Sequence, residues 1–393
     1  MFGINEVWLL LSIPLLATTW LMIYHRKSVV LWELLTIWLV CIISIGVSQI
    51  IVEKISISDK EIWGYNGEQA VYDEPFQYWD TCSETYQCGE DCSTNSQGNR
   101  SCSPRYCTRY YPCERWGGNV AHLVDQMNNK HTISTEDYKR LESKQWNNSK
   151  TIELHREKTY DIIVDGDRRI TRWPGTWEIS EPIAEEHTYE NRTIRSTAVR
   201  FQQITPEMKI KYKLFDYPKV YGRYKINSVL DQNGHQWQKA NKKWNYLNGI
   251  FGPKRNLRAI VLIFRDQTRE VIYMQQGHWY NGNKNEFIIC IGADKDGNVT
   301  WSDVISWTEV EELKIEFRDE VPNVINKVDE ESLVRLAEWA EPKLRRYIKP
   351  EFTDKFKHLS VRPSTTSMII TAVIILLITI GICVWVVKNE FQE

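Results

Sequence analysis

The run VVLWELLTIWLVCIISIGVSQIIV at residues 29–52 decides the architecture of this chain. A second apolar run precedes it at residues 7–24, and a third lies near the C-terminus at residues 368–387. Each run is about as long as the roughly 20 residues that a helix needs to cross the hydrocarbon core of a bilayer. The pattern predicts an α+β membrane protein with three transmembrane helices: a helical hairpin at 7–52 and a closing helix at 368–387.

The short loop between the first two runs predicts the orientation. It contains His25, Arg26 and Lys27, and short basic loops remain on the cytoplasmic side of a membrane. The N-terminus and the large polar region are therefore expected outside the cytoplasm, and the C-terminus inside it. The lipid bilayer is the first predicted partner, and three helices per chain also allow a homo-oligomer.

The polar region between the runs is long enough for one large domain or two ordinary ones. The whole chain carries a formal net charge of -2. It has no strongly basic field that would attract a nucleic acid backbone. Nucleic acid is therefore not a predicted partner.

Cysteines are concentrated in one short segment of the polar region. Six of the nine lie within residues 82–113, namely Cys82, Cys88, Cys92, Cys102, Cys107 and Cys113. Three disulfides in an oxidising compartment would cross-link this polar segment. A loose zinc site on Cys88/Cys92 and Cys102/Cys107 is the alternative, but the segment contains no Cys-x-x-Cys pair. Disulfides are favoured, in agreement with an extracytoplasmic domain, and their connectivity is left open.

The second half of the polar region has a different pattern. Continuous apolar strands at 257–264 and 287–292 alternate with amphipathic helices, which is typical of a sheet covered on both faces. Residues 236–347 therefore read as an α/β sandwich, 53–235 as an irregular α+β region, and 348–367 as a linker. Within the α+β region, an Asp-Gly step between residues 160–164 and 169–173 predicts a β-hairpin.

Few residues suggest chemistry. Asp294 and Asp296 begin a pattern similar to a calcium loop, but no Glu follows at the twelfth position, so a tight turn is the favoured interpretation. These two residues are the weak metal candidates, and no cofactor is expected. His278 and Asp303 could meet in a cleft, while Cys290, in an apolar strand, reads as an inert core thiol.

The second half resembles the TPM domain, a membrane-tethered extracytoplasmic α/β module. The resemblance covers about residues 237–347 and rests on the order of elements: a helix, a strand at 259–264, a second helix, then strands at 287–292 and 299–305 joined by an acidic turn. It implies a TPM-like α/β sandwich. It also implies phosphate-ester hydrolysis, as in some members.

Most of the chain is similar to uncharacterised membrane proteins of large tailed bacteriophages. The shared features are the N-terminal hairpin, the 82–113 cysteine cluster and the segments at 187–191, 289–294, 301–308 and 388–391. This resemblance implies a phage-encoded protein of the host bacterial inner membrane with a periplasmic domain, and it implies no activity.

These observations favour a membrane-anchored periplasmic protein that binds a protein partner in the envelope and has no catalytic role. A TPM-type phosphatase is the first alternative, with Asp294 and Asp296 as its site. An oligomeric membrane channel is the second alternative.

Overall fold

A computed structural model gives the structure of the protein. It describes residues 10–24, 31–94, 100–143, 150–154, 162–164, 166–173, 176–196, 198–222, 225–361 and 365–390. Three features of the sequence lie outside these residues. They are the basic loop at 25–28, the first residues of the first two apolar runs (7–9 and 29–30) and Asp165 of the Asp-Gly step.

The described residues form helices and strands in the following order. The helices are α1 (Ser12–Tyr24), α2 (Leu31–Ile57), α3 (Thr135–Ser143), α4 (Pro206–Lys211), α5 (Gln238–Arg255), α6 (Val271–His278), α7 (Glu311–Val324), α8 (Glu330–Leu344), α9 (Phe352–Phe356) and α10 (Thr365–Glu390). The strands are β1 (Ser58–Asp73), β2 (Phe76–Thr94), β3 (Arg100–Gly117), β4 (Val120–Asp125), β5 (Lys130–Ile133), β6 (Lys150–Leu154), β7 (Ile162–Val164), β8 (Arg168–Arg172), β9 (Glu181–Glu190), β10 (Val229–Asp231), β11 (Arg258–Arg265), β12 (Glu286–Ala293) and β13 (Val299–Ser306).

Two helices in the described part of the chain are long and apolar enough to cross a membrane, Leu35–Ile57 in α2 and Thr365–Trp385 in α10. Helix α1 has 13 residues, so a third span stays a prediction. The three helices pack together through buried apolar side chains such as Leu21, Ile37 and Ile375. They therefore form one helical bundle.

Strand β1 begins at the residue after α2 ends and organises the first sheet. Its first half pairs antiparallel with β9, from Ser58 opposite Glu190 to Gly67 opposite Glu181. Its second half pairs with β4 on one side and β8 on the other, giving the order β5-β4-β1-β8-β6. Tyr138 and Leu141 of α3 are buried in the core of this sheet.

The second sheet has the order β10-β11-β12-β13, with β13 antiparallel to the other three strands. Alternate residues of β11 face opposite layers. Val261 and Ile263 pack with residues of α5, α7 and α8, whereas Ile260 and Leu262 pack with residues of α6. The predicted sheet with both faces covered is thus present. It includes Val229–Asp231, which precede residue 236.

The predicted hairpin between residues 160–164 and 169–173 is wrong. Strand β7 pairs with β2, whereas β8 pairs with β1 and β6, so the two strands belong to different sheets. Short strands have only weak local preferences for a pairing partner. Here β7 and β8 pair with strands that are more distant in the chain and not with each other.

Glycines allow the two sheets to be joined closely. Helix α5 of the sandwich lies across β1, and a Cβ added at Gly252 would collide with the carbonyl oxygen of Gly64. The amide of Asn66 in β1 also donates to the carbonyl of Tyr246 in α5 at 3.0 Å. Backbone therefore packs directly on backbone at this junction.

We expect Gly252→Ala to lower the free energy of unfolding by about 1–3 kcal/mol, because overpacking displaces backbone. In an ordinary helix the same change stabilises by about 1 kcal/mol. Gly381→Ala is the control, since a Cβ there meets nothing within 4 Å. Thermal unfolding of the detergent-solubilised chain measures both variants. Equal melting temperatures would contradict the close packing at the junction.

Candidate functional site

Strands β2 and β3 form a long antiparallel ribbon, which we call the arm. They pair from Phe76 opposite Gly117 to Thr94 opposite Arg100. Strand β7 pairs with the arm at its base, beside Gln77 and Tyr78. Beyond Trp79 the described side chains of β2 are almost all exposed. At about 3.4 Å per residue, β2 from Trp79 onward extends roughly 50 Å from this base.

The six clustered cysteines cross-link the arm in a nested order. Cys82 bonds Cys113, Cys88 bonds Cys107, and Cys92 bonds Cys102, with Cα–Cα distances of 5.7, 5.6 and 4.0 Å. The predicted disulfide-rich module is confirmed as three cysteine pairs at disulfide distance. Because a two-stranded ribbon is marginally stable on its own, these cross-links hold the arm in its extended form.

The pairing leaves no thiolate set for zinc in the described part of the arm. Glu90, Cys92 and Cys102 are the one group of three possible metal ligands that converge within the described residues. Two of them are bonded to each other. The cysteines therefore serve as cross-links.

The arm has two different faces, because residues directly opposite each other share a face and successive residues alternate. One face, which we call the ring face, carries Trp79, Tyr106, Tyr110 and Trp116, whose exposed fractions are 47, 65, 70 and 64 %. The opposite face, the charged face, carries the larger share of ionic side chains. These are Asp80, Glu84, Asp91, Arg105, Arg109 and Arg115.

The sequence contains a signal for these faces. In β3, three of the four rings, Tyr106, Tyr110 and Trp116, occupy even positions, and three of the four arginines occupy odd positions. The exceptions are Tyr111, Arg100 and Glu114. Period-two segregation is typical of a strand. Here it separates most rings from most charges, and it does not separate apolar from polar residues, so the local pattern alone indicates a polar cysteine-rich loop.

Prolines protect the outer edge of β3. An exposed strand edge presents unpaired N–H and C=O groups that invite another strand. Pro104 and Pro112 have no N–H to donate, so each removes one donor from β3. The two prolines therefore make this edge a poorer partner for another strand.

The two weak metal candidates lie in the turn between β12 and β13. One carboxylate oxygen of Asp294 accepts the backbone N–H groups of Asp296 and Asn298 at 3.0 and 2.8 Å, and the other accepts the Asn298 amide at 2.9 Å. These hydrogen bonds, led by that of the Asn298 side chain, lower the pKa of Asp294. The Asp294 carboxylate thus closes the turn.

His278 and Asp303 have separate partners. Asp303 pairs with Arg269 at 2.6 Å, and the His278 ring lies 3.8 Å from Asp216. Cys290 is fully buried in β12, and burial raises the pKa of its thiol. It is therefore poorly suited to nucleophilic attack.

A buried ionic cluster joins the first sheet to the sandwich. Glu61 of β1 is 3 % exposed, and the ammonium groups of Lys284 and Lys349 each lie 3.6 Å from its Oε1. The two lysines also lie over the rings of Tyr189 and Trp63. Burial lowers the pKa of Lys349, although the Glu61 carboxylate opposes that shift.

A second buried network lies behind a cavity of about 490 Å³ between the sheets. The hydroxyl of Tyr217 donates to buried Glu286 and accepts from Arg258 at 3.0 Å and Asn283 at 2.7 Å. Burial raises the pKa of Glu286, while Arg258 opposes that rise. The lining of the cavity mixes charges of both signs. It includes Asp59, Lys60, Glu186, Lys219 and His278.

A histidine between two carboxylates lies at the β4–β5 turn. The two ring nitrogens of His131 lie 3.0 Å from Asp125 and 2.6 Å from Glu185. Asp125 also accepts the backbone N–H groups of Met127 and Asn129 at 2.7 and 2.9 Å. Burial, then the nearby Glu185 and Asp125 carboxylates, raises the pKa of Tyr65 to about 12. The Asp125 contacts close the turn, whereas the Glu185 contact joins β5 to β9.

The described geometry defines a mixed α+β protein with two candidate membrane spans and a disulfide-linked arm. No protein-family model, curated protein or solved structure matches this chain. The resemblances to the TPM domain and to phage membrane proteins stay predictions.

Reduction is expected to unfold the arm while the α/β sandwich stays folded, because the sandwich core contains no disulfide among its described residues. Trypsin should then cut at Arg105 and Arg109 in the reduced chain and spare them in the oxidised chain. Mass spectrometry of the fragments over time gives the readout. Equal resistance of the arm in both states would contradict its dependence on the cross-links.

We expect Glu61→Gln to lower the free energy of unfolding by about 3 kcal/mol, because it leaves two half-buried lysines without their common anion. The control is Glu186→Gln, which breaks an exposed pair with Lys60 and should cost less than about 1 kcal/mol. Denaturant unfolding followed by tryptophan fluorescence measures both. If the two variants lose similar amounts of unfolding free energy, the buried cluster contributes no more to stability than an exposed ion pair.

Proposed function

We propose that this chain is a membrane-anchored, extracytoplasmic binding protein that engages a component of the cell envelope through its arm and has no catalytic role. The observation that carries the proposal is the arm itself. It is an extended, cross-linked ribbon that contributes almost nothing to a core and exposes four large aromatic side chains on its ring face and two more, Tyr86 and Tyr111, on its charged face.

The anchoring rests on continuity between the helices and the domain. Helix α2 ends at Ile57 and β1 begins at Ser58. Arg192, just before a 3₁₀ turn at Thr193–Arg195, forms an ion pair of 2.9 Å with Glu53 near the end of α2. Helix α10 returns the chain to the same bundle. Both ends of the domain are thereby attached to the proposed membrane segments.

The proposed orientation follows from redox chemistry and loop charge. Disulfides persist in oxidising compartments such as the bacterial periplasm. The basic loop at 25–28 favours a cytoplasmic position for the opposite end of the bundle. Both arguments support a periplasmic arm and a cytoplasmic C-terminus in an inner membrane.

The composition of the arm supports binding. Its two strands contain eight aromatic residues and four arginines but no lysine. Tyr, Trp and Arg are enriched at interfaces, whereas Lys is depleted. Cross-linking reduces the conformational entropy that the arm loses when it binds. The TPM-type alternative has weaker support, because Asp294 is engaged in its turn.

Replacing residues 79–114 with a short turn should abolish binding to the envelope and leave membrane insertion intact, because the base of the arm remains paired. The full chain and the variant, each in lipid nanodiscs, are mixed with insoluble bacterial envelope and sedimented. We expect the apparent affinity, taken from the pelleted fraction over a series of envelope concentrations, to fall at least about tenfold, the equivalent of 1.4 kcal/mol. Undiminished sedimentation of the variant would overturn the proposal.

A further inference from the structure

We propose that the ring face of the arm binds a neutral glycan chain. This inference rests on the proposed function, in which the arm is the binding surface, and it names the chemical class of the ligand. The argument uses the spacing of the rings, the polar groups between them and the sign and position of the charges.

The rings form a series along one face. Trp116 and Trp79 lie near the base, Tyr110 lies further out, and Tyr106 is four residues beyond it. At about 3.4 Å per residue, the series from Trp116 to Tyr106 covers roughly 35 Å. A long, narrow row of flat surfaces suits an extended polymer better than a compact ligand. Sugar rings present flat C–H faces that stack on aromatic rings.

Hydroxyl and amide groups lie between the rings. Thr81, Ser83, Thr85, Gln87 and Thr108 share the ring face, and all of them both donate and accept hydrogen bonds. Sugar hydroxyl groups need such two-way partners. Neither strand of the arm contains Leu, Ile, Val or Met, so the surface lacks the aliphatic side chains that a lipid or an apolar helix would bury.

The charges exclude other ligands that stack on aromatic rings. Single-stranded nucleic acids stack on rings beside a positively charged groove. On the ring face the described charges are Glu90, Glu114 and Arg100, and Glu114 accepts a hydrogen bond from Gln77 at 2.7 Å. The guanidinium of Arg115 lies on the charged face, where it pairs with Asp80 at 3.1 Å. An uncharged polymer fits this distribution.

A protein partner is the competing class, and rigid Tyr and Trp side chains also serve protein recognition. The ring face differs from such surfaces because hydroxyl and amide side chains, together with Pro112, lie between its rings, and no Leu, Ile, Val or Met is among them. The geometry therefore points to repeated sugar units, each stacked on a ring and bound at its hydroxyl groups.

The test uses the full chain in lipid nanodiscs, titrated with the hexamers and dimers of N-acetylglucosamine, β-1,4-glucose and α-1,4-glucose while tryptophan fluorescence is recorded. We expect saturable binding of at least one hexamer, at least about tenfold tighter than its dimer, because only the longer chain reaches several rings. Absence of saturable binding to all three hexamers would overturn the inference.

Variants on the two faces give a matched comparison. Trp79→Ala combined with Tyr110→Ala should weaken the binding of the hexamer at least about tenfold, since truncation of central aromatic residues has such effects. Tyr86→Ala combined with Tyr111→Ala removes two exposed rings, 46 and 40 %, from the charged face and should leave affinity unchanged. Equal losses would overturn the assignment to the ring face. Mass spectrometry confirms three disulfides in each variant.

Enzymatic digestion separates this inference from the proposed function. Envelope treated with glycosidases should lose its ability to sediment the protein, whereas protease-treated envelope should retain it. The reverse result identifies a protein partner, which overturns the glycan assignment and leaves the arm as the binding surface. Sedimentation that is independent of the arm overturns the proposed function itself.

Discussion

The carboxylate of Glu61, buried between two ammonium groups, is the interaction on which the assembly of the domain depends. Glu61 belongs to β1, Lys284 lies just before β12, and Lys349 lies in the segment that leads from α8 toward α10. The ion pairs therefore join these three segments. A buried charge is costly unless it is compensated. Separating any one of these segments from the others would leave a charge without its partner, and the free energy of that loss holds the three segments together.

The arm is stabilised in a different way from the rest of the domain. The sandwich has a continuous apolar core, whereas the arm has disulfides, cross-strand pairs and little else. Its side chains consequently do not need to pack in a core. A binding surface on such a ribbon can change its composition without loss of the main fold, provided that the cysteines remain.

The sequence predicts those parts of the fold that follow from local pattern. The sandwich follows from the apolar runs that become β11 and β12, since only a sheet covered on both faces buries every residue of a strand. The cysteine cluster is also a local pattern, because six cysteines within one short polar segment predict disulfide cross-links. By contrast, β7 and β8 are short, and their partners are distant in the chain, so the local Asp-Gly signal is misleading.

The candidate site follows less directly from the sequence than the fold does. Glu61 is charged, and a charged residue reads as exposed until Lys284 and Lys349, more than 200 residues away, are placed beside it. The ring face needs a register between two strands before its rings align. The local sequence shows the alternation of rings and charges. It does not show the pairing between β2 and β3, which determines the residues that share a face.

The direct passage from α2 into β1 has a mechanical consequence. Ile57 ends the helix, Ser58 begins the strand, and two residues after Asp73 separate β1 from the arm. With no flexible joint between helix and strand, a rotation or tilt of α2 turns β1 and moves the base of the arm with it.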